Sequence, residues 1–400
     1  MLASILGCIS LLGLLVLPLV VGGWVDELGY SERDAGLLSS ASFLGAAGMA
    51  LVLAFRIHHL DLRRLAGAGL LGMALADGIS AGAAQLPLAV VIGARFVSGA
   101  ASGALYGAVM AAFAAHRRPD RSYGAFMALQ FAVSAAGLYL LPPLMPTLGV
   151  TGVFTGFAVA AVLGLALLPS LPGGRQRQAE PTQSGDFGST SEDVSEVGNP
   201  PVNASVRSVE WRLILAPTAL LCLLAYGSFE AAAMGQFAYI ERIGVHLGLT
   251  PEQLGLSLGF ASLVGIPGAL AVTFLGNRFG YFLPIAGAAT AQLLVMLWLL
   301  RAEDFAAYFV IACVYSIGWA FVLPYFQALC ARIDPRGSVV VAGGFATGSA
   351  GFLGPAGAAL LVRPGDYSLM IGGICAVLGF VIVVTFVVTR RLAMDKTAPV

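Results

Sequence analysis

The chain contains long blocks of apolar residues that few charged side chains interrupt. Each block is about as long as a helix that crosses a bilayer, which needs about 20 residues. Of the 400 residues, 58% are hydrophobic and 10% are charged, whereas a soluble domain carries about 25% charged residues. A membrane β-barrel would instead show strands of about ten residues that alternate apolar and polar positions. The sequence therefore predicts an all-α polytopic membrane protein.

Twelve predicted transmembrane helices fall into two sets of six. The first set is 2–24, 35–55, 64–84, 87–113, 122–144 and 149–170, and the second is 210–239, 252–275, 281–301, 305–332, 338–362 and 368–390. We expect one six-helix bundle at 1–170, another at 210–390, and a cytoplasmic tail at 391–400. The stretch 171–209 is rich in Ser, Gly, Pro and acidic residues, which predicts a disordered cytoplasmic linker.

Basic residues predict the orientation in the membrane. Sixteen arginine and lysine residues fall in loops on one side and four on the other, namely Arg33, Arg242, Arg301 and Arg363. Because short cytoplasmic loops hold an excess of basic residues, we expect both termini in the cytoplasm. The first apolar block is not preceded by the basic residues that begin a cleaved signal peptide, so we interpret it as a retained span. The compact outer loops favour a bacterial inner membrane.

The two halves repeat each other. Residues 28–50 align without a gap to residues 247–269, and the matches include Gly29 with Gly248 and Gly36 with Gly255. Each segment begins the second helix of its half, where Ser31 with Asp34 and Thr250 with Gln253 predict capping boxes. A parallel repeat of six helices is typical of transporters that rock two halves around a central site.

Twelve spans, a long linker after the sixth and a six-helix repeat resemble the major facilitator superfamily over nearly the whole chain. RFVSGAASG, from residue 95, is similar to its fourth-helix signature, and Gly99 and Gly103 predict close helix packing. GNRFGY resembles its gating motif, with Asn277 at the aspartate position and Arg278 and Gly280 retained. FRIHHLDLRR, after the second span, lacks the glycine and aspartate of that motif. The glycine-proline signature of proton antiporters is absent from the fifth span, and a similar GFLGPAGA occurs in the eleventh.

Three charged residues fall well inside the predicted spans, away from their ends: Asp77, Arg95 and Glu230. Such charges are functional candidates because burying them in a bilayer is costly. Asp77 and Arg95 fall at one depth, and they form either a structural ion pair or a pair whose arginine faces the cavity. Glu230 follows Tyr226 by one turn, and it either carries a coupling proton or is a hydrated side chain near the outer mouth.

Two helix faces carry polar and aromatic side chains. Arg95, Gly99, Ser102 and Tyr106 share a face of the fourth span, and Tyr308, Tyr315 and Trp319 share a face of the tenth. The resemblance implies that the first, fourth, seventh and tenth helices line a cavity, whereas the alternative for the aromatic face is ordinary packing. The candidate substrate or proton-pathway residues are Arg95, Asp77, Glu230, Ser102, Tyr106, Tyr226, Tyr315 and Trp319.

Other functional classes are disfavoured by the sequence. Lys396 is the only lysine, so the chain has no Walker A loop of its own. The four histidines fall on opposite sides of the membrane, so we expect no metal site, no cofactor and no enzymatic activity. The expected function is a monomeric secondary transporter that moves a small solute by alternating access, coupled to protons, without nucleic acid. A facilitative uniporter and a transport-inactive membrane sensor remain alternatives.

Overall fold

The computed structural model describes residues 2–57, 60–114, 119–172, 211–334, 338–363 and 365–394. Its N-terminal half (2–172) consists of α1 (Leu2–Leu15), α2 (Leu17–Asp26), α3 (Glu32–Arg56), α4 (Leu62–Ala81), α5 (Leu88–Ala114) and α6 (Pro119–Gly164). The C-terminal half (211–394) consists of α7 (Trp211–Ile214), α8 (Pro217–His246), α9 (Pro251–Leu275), α10 (Phe282–Leu299), α11 (Phe305–Ile333), α12 (Ser338–Leu361) and α13 (Ser368–Met394). Most of the predicted linker and residues 395–400 of the predicted tail lie outside the described residues.

The helix count agrees with the predicted membrane fold. In the described part of the chain, nine helices are long and apolar enough to cross a bilayer, and the bent pair α1–α2 makes ten. α6 has 46 residues, which is roughly 70 Å of helix at 1.5 Å per residue and enough for two crossings. α4 adds a helix of 20 residues. The helical membrane fold is confirmed, and its helices are consistent with twelve spans.

Two bends have local causes. The chain turns by 44° between α1 and α2, where Pro18 lacks the N–H that would continue the helix. α6 bends at Gly149, whose φ of 62° is in the left-handed region that glycine adopts without strain. The carboxylate of Glu27 accepts a hydrogen bond of 2.6 Å from the backbone N–H of Val150. The end of α2 thus stabilises the α6 bend.

The repeat predicted from sequence reappears in backbone geometry. The aligned Gly29 and Gly248 have φ values of 66° and 77°, and each precedes a capped helix. Thr250 and Gln253 form a complete capping box at α9, whereas Ser31 caps α3 by accepting from the Asp34 N–H and donates its own hydroxyl to the Asp34 carboxylate. α3 packs against α12 of the other half, and α9 packs against α6. These two pairs are the pseudo-symmetric contacts between the halves.

Glycines bring α3 and α5 into close contact, as the fourth-helix pattern predicts. A Cβ at Gly99 would collide with the backbone oxygen of Ser42, and one at Gly103 would lie 2.9 Å from the oxygen of Ala46. Gly45 of α3 makes the reciprocal approach to the backbone of Phe96. Such contact between helix backbones is how small residues associate helices in a membrane.

The predicted outer end of the seventh span is wrong. α8 continues to His246, seven residues beyond the predicted end at 239. Glu241 and Arg242 therefore lie inside a helix, where they are 7% and 4% exposed, and Arg242 is not the loop residue that the charge count assumed. We call the end of the bundle with the α2–α3 and α8–α9 turns the outer end, following the orientation predicted from charge, and the opposite end the inner end.

Candidate functional site: a cavity between the two halves

A cavity of about 140 Å³ lies between the two halves. The N-terminal half contributes side chains of α1 and α6, and the C-terminal half contributes side chains of α8, α9 and α11. The lining residues are Leu14, Leu15, Gln130, Phe131, Ser134, Ala233, Met234, Gln236, Phe237, Ile240, Leu258, Ala261, Ser262, Ala312, Tyr315, Ser316 and Trp319. No side chain in this described lining carries a charge. The site is therefore an apolar chamber with several amide and hydroxyl groups.

Two of the sequence candidates, Tyr315 and Trp319, line this cavity from α11. Tyr315 is 4% exposed, and its hydroxyl has no hydrogen-bond partner in the described part of the chain. Gln292 of α10 donates a 3.0 Å hydrogen bond to the backbone oxygen of Tyr315, which fixes this turn of α11. Tyr308, on the same helix, does not line the cavity and donates to the backbone oxygen of Ile240 at 2.9 Å.

Glu230 lies behind the cavity wall. It is 6% exposed, and its Oε1 accepts a hydrogen bond of 3.2 Å from the indole Nε1 of Trp319. Trp319 thus contacts both the chamber and the one acidic side chain next to it. Tyr226, one turn away on α8, stacks on Phe326 with ring centroids 5.0 Å apart and is not a lining residue.

Asp77 and Arg95 meet inside the N-terminal half. Arg95 Nη2 of α5 contacts Asp77 Oδ1 of α4, and both side chains are buried. Arg95 Nε donates to Ser80 Oγ at 2.9 Å, and Ser98 Oγ donates to Asp77 Oδ1 at 2.8 Å. The guanidinium also lies 4.4 Å from the ring centre of Phe154. This network of satisfied charges joins α4, α5 and α6, and none of its members lines the cavity.

The other candidates on α5 point to different neighbours. Ser102 Oγ donates to the backbone oxygen of Ser10 on α1 at 2.5 Å. Tyr106 is 37% exposed, and its ring centre lies 6.2 Å from that of Phe126. The polar face of this helix therefore does not converge on one pocket with Arg95.

The gating-motif candidates form a turn at the inner end of α9. Gly276 and Gly280 have φ values of 54° and 65°, and Tyr325 of α11 donates to the backbone oxygen of Gly276 at 3.0 Å. Asn277 and Arg278 are exposed on this turn. The glycines shape the turn, while the two polar side chains face outward from it.

A charged cluster at the outer end joins the halves, and sequence reasoning missed it. Arg242 of α8 donates two hydrogen bonds of 2.6 Å to the carboxylate of Asp26 on α2. It also pairs with the neighbouring Glu241 at 2.8 Å. Gly22 of α2 makes room for this cluster, because a Cβ there would collide with the Glu241 carboxylate. The repeat was the available signal: carried five residues upstream of the aligned segments, its register pairs residue 242 with residue 23, which lies inside the first predicted span.

A second set of contacts at the outer end centres on Glu32 of α3. Its carboxylate accepts a 2.5 Å hydrogen bond from the hydroxyl of Tyr367 in the α12–α13 loop, and its backbone oxygen accepts from Tyr239 of α8 at 2.7 Å. Burial, with a smaller effect of the Glu32 contact, raises the pKa of Tyr367 above its ordinary value, so the hydroxyl keeps its proton and donates. Glu32 therefore ties α3 to two elements of the other half.

The contacts between α3 and α12 change along the bundle. Near the outer end, a Cβ on Gly36 would collide with the Tyr239 hydroxyl and reach Ala359 at 2.7 Å, and one on Gly351 would lie 3.3 Å from Phe43. Nearer the inner end, Gly344 and Gly348 of α12 have no described heavy atom within 4 Å of a Cβ position. α3 and α12 are thus closely packed at Gly36 and Gly351, whereas Gly344 and Gly348 border open space.

Comparison with known proteins is consistent with this architecture. The family model of the Major Facilitator Superfamily matches residues 3–359. A mutant form of the nucleoside transporter NupG superposes with a TM-score of 0.75 at 11% identity, covering 97% of this chain and 98% of that chain. A bacterial homologue of the human lysosomal transporter Spinster, in an inward-facing and unoccupied conformation, gives 0.71 at 12% identity, with coverage of 100% and 98%. No curated protein matches the chain by sequence.

Proposed function

The chain belongs to the major facilitator superfamily and is a membrane transporter, and we propose that it moves a small solute by alternating access, driven by a proton gradient. The observation that carries this proposal is the cavity lined by both halves. In transporters built from two repeats, rocking of one half against the other exposes such a central site first to one side and then to the other.

The outer contacts supply one gate in this scheme. Arg242 with Asp26 and Glu32 with Tyr239 and Tyr367 close the outer end above the cavity. The open space beside Gly344 and Gly348, nearer the inner end of α12, supports an inward-facing state. Opening to the outside then needs these contacts to break while contacts form at the inner end.

Glu230 is the proposed proton carrier. It is the acidic side chain next to the cavity, and Trp319 connects it to the lining through one hydrogen bond. A carboxylate in a low-dielectric site can take up and release a proton as its surroundings open and close. A solute contacting Trp319 would alter that hydrogen bond and so couple its own binding to the charge of Glu230.

A flux assay tests the function and the coupling together. A solute that raises the melting temperature of the purified protein is enclosed with it in liposomes, and its movement is followed with and without a pH gradient. Glu230→Gln keeps the hydrogen-bonding shape but exchanges no proton, so the variant should exchange solute for solute yet lose accumulation driven by pH. Glu252→Gln, an exposed acid at the start of α9, is the matched control and should keep both.

The outcomes separate the alternatives. If the solute flux of the unaltered protein is the same with and without the pH gradient, the protein is a uniporter. If the solute binds but no flux occurs, the protein is a sensor. Unchanged pH-driven flux in Glu230→Gln would remove Glu230 from the coupling mechanism.

The proposed location is a bacterial inner membrane with both termini in the cytoplasm, supported by a split of sixteen basic residues against three once the helical Arg242 is left out of the count. Single cysteines at Ser191 and Glu303, each on a cysteine-free background, should react with an impermeant maleimide only from the inside and only from the outside, respectively. The reverse pattern would overturn the orientation.

A further inference from the structure

We propose that the cavity between the halves takes an uncharged solute, with an apolar body about the size of one aromatic ring and at least one hydrogen-bonding group. This inference rests on the transport function proposed above and names the substrate class of the same site. Three features of the cavity carry it: the absence of charge in its described lining, one unpartnered hydroxyl, and its volume.

The charge of the lining disfavours ionic solutes. No described lining residue is charged, and Glu230 is connected to the lining by Trp319, whose indole N–H binds its Oε1. The other buried charges of the described residues have partners elsewhere: Arg95 pairs with Asp77, Arg242 pairs with Asp26 and Glu241, and Asp334 accepts a hydrogen bond from the backbone N–H of Val339. An ionic solute would leave water without gaining a counter-ion, which is strongly unfavourable. A neutral solute avoids this loss.

The polar groups of the lining favour a solute that can form hydrogen bonds. The Tyr315 hydroxyl is buried and has no partner in the described part of the chain. Buried hydroxyl groups in folded proteins are almost always hydrogen-bonded, so an unsatisfied one on a residue that lines a cavity is a candidate position for a ligand atom. Gln130, Gln236 and Ser316 add donors and acceptors around the same chamber. A pure hydrocarbon would leave the Tyr315 hydroxyl unpaired.

The volume of the chamber indicates how large an apolar group its walls can contact. Its volume is about 140 Å³, and a dry cavity of about 150 Å³ is known to hold one benzene molecule. Phe131, Phe237 and Leu258 supply apolar walls. Flat rings pack favourably against such aromatic side chains. The occupant expected in this conformation is therefore a one-ring polar molecule.

The test is a melting-temperature screen of the full chain in detergent with matched one-ring compounds. The uncharged set is benzyl alcohol, benzamide and nicotinamide, the anionic set is benzoate and nicotinate, and the cationic member is benzylammonium. We expect only uncharged compounds to raise the melting temperature. Met234→Trp, which fills the chamber from a half-buried position on α8, should abolish that increase.

Tyr315→Phe tests the hydrogen bond without filling the cavity. Removal of an unpartnered hydroxyl should not destabilise the free protein, but it should weaken binding of the stabilising compounds about threefold to tenfold. Tyr308→Phe is the matched control on the same helix. Its hydroxyl already binds Ile240, so this variant should lose stability and keep its ligand affinity.

The results distinguish failure of this inference from failure of transport. Stabilisation by benzoate, nicotinate or benzylammonium that Met234→Trp removes would overturn the inference. So would the absence of cavity-dependent stabilisation by all three uncharged compounds, or unchanged affinity in Tyr315→Phe. A stabilising uncharged compound that crosses liposomes no faster with the protein than without it would leave the inference intact and count against the transport function.

Discussion

Two ion pairs in the bundle differ in what they join. Asp77 and Arg95 lie on neighbouring helices of one half, and their side chains are 3% and 7% exposed. Asp26 and Arg242 belong to different halves, and Asp26 is 56% exposed while Arg242 is 4% exposed. A dry pair within one half can keep its geometry when the halves move, whereas a pair across halves must break, and water at Asp26 makes breaking easier. Whether a charge pairs within one half or across the two halves therefore says more about its role than how deeply it is buried.

The largest effect is expected at the pair within one half. Arg95→Ala leaves the Asp77 carboxylate buried without its cation, which should lower the free energy of unfolding by about 3–5 kcal/mol. The double variant with Asp77→Ala should recover much of this loss. The measurement is the unfolding midpoint of the purified protein in detergent, combined with solute flux in liposomes.

Flux of the double variant decides the role of this pair. Because the network lies away from the cavity lining, we expect a folded double variant to transport. A folded double variant without flux would show instead that Arg95 takes part in transport, as its position in the fourth span allows.

A smaller effect is expected at the pair between halves. Arg242→Gln removes the cation that Asp26 and Glu241 share, and loss of charged hydrogen bonds should shift the equilibrium toward the outward-open state by roughly tenfold. An impermeant maleimide added outside liposomes should then label a single cysteine at Ser316, in the cavity lining, correspondingly faster.

Asp26→Asn should shift this equilibrium less than Arg242→Gln, because solvent already screens the exposed Asp26. Asp34→Asn is the matched control at the same end of the bundle, since Asp34 contacts Ser31 within its own half. Equal labelling rates in all three variants and the parent would rule out Arg242 as part of the outer gate.

The smallest effect is expected from the tyrosines of the outer end. Tyr239→Phe deletes one hydrogen bond to the Glu32 backbone and should raise the outside labelling rate roughly threefold. Tyr367→Phe should act similarly through the Glu32 carboxylate. Because the pKa of Tyr367 is raised, its hydroxyl remains a donor below that pKa, so the Tyr367→Phe effect should be constant from about pH 6 to 9. A loss of this effect within that range would contradict the assigned donor.

The sequence predicted much of the fold because membrane helices and close helix contacts each produce a recognisable local sequence pattern. Long apolar blocks predicted the spans, and Gly99 and Gly103 predicted close helix packing, which the structure shows to be with α3. The aligned Gly29 and Gly248 share a left-handed backbone. The end of α8 was missed because Glu241 and Arg242 read as loop residues, although the repeat register, carried upstream of the aligned segments, pairs them with Gly22 and Gly23 inside the first predicted span.

The cavity was predictable only in part. Tyr315 and Trp319 were found because aromatic residues at helical spacing mark one face of α11. The sequence analysis missed four polar lining residues: Gln130, Ser134, Gln236 and Ser262. The sequence around an uncharged polar residue on a long helix does not indicate which neighbour its side chain contacts. Which side chains meet between the halves depends on how each helix is rotated against a partner from the other half.

The uncharged lining of the cavity has a bioenergetic consequence. A neutral solute does no electrical work when it crosses the membrane, so the membrane potential acts on the proposed cycle only through the proton on Glu230. One elementary charge moved through 100 mV supplies about 2.3 kcal/mol, and each 1.4 kcal/mol corresponds to a tenfold ratio. A one-proton cycle at that potential could therefore sustain a solute gradient of roughly 50-fold, even with no difference in pH.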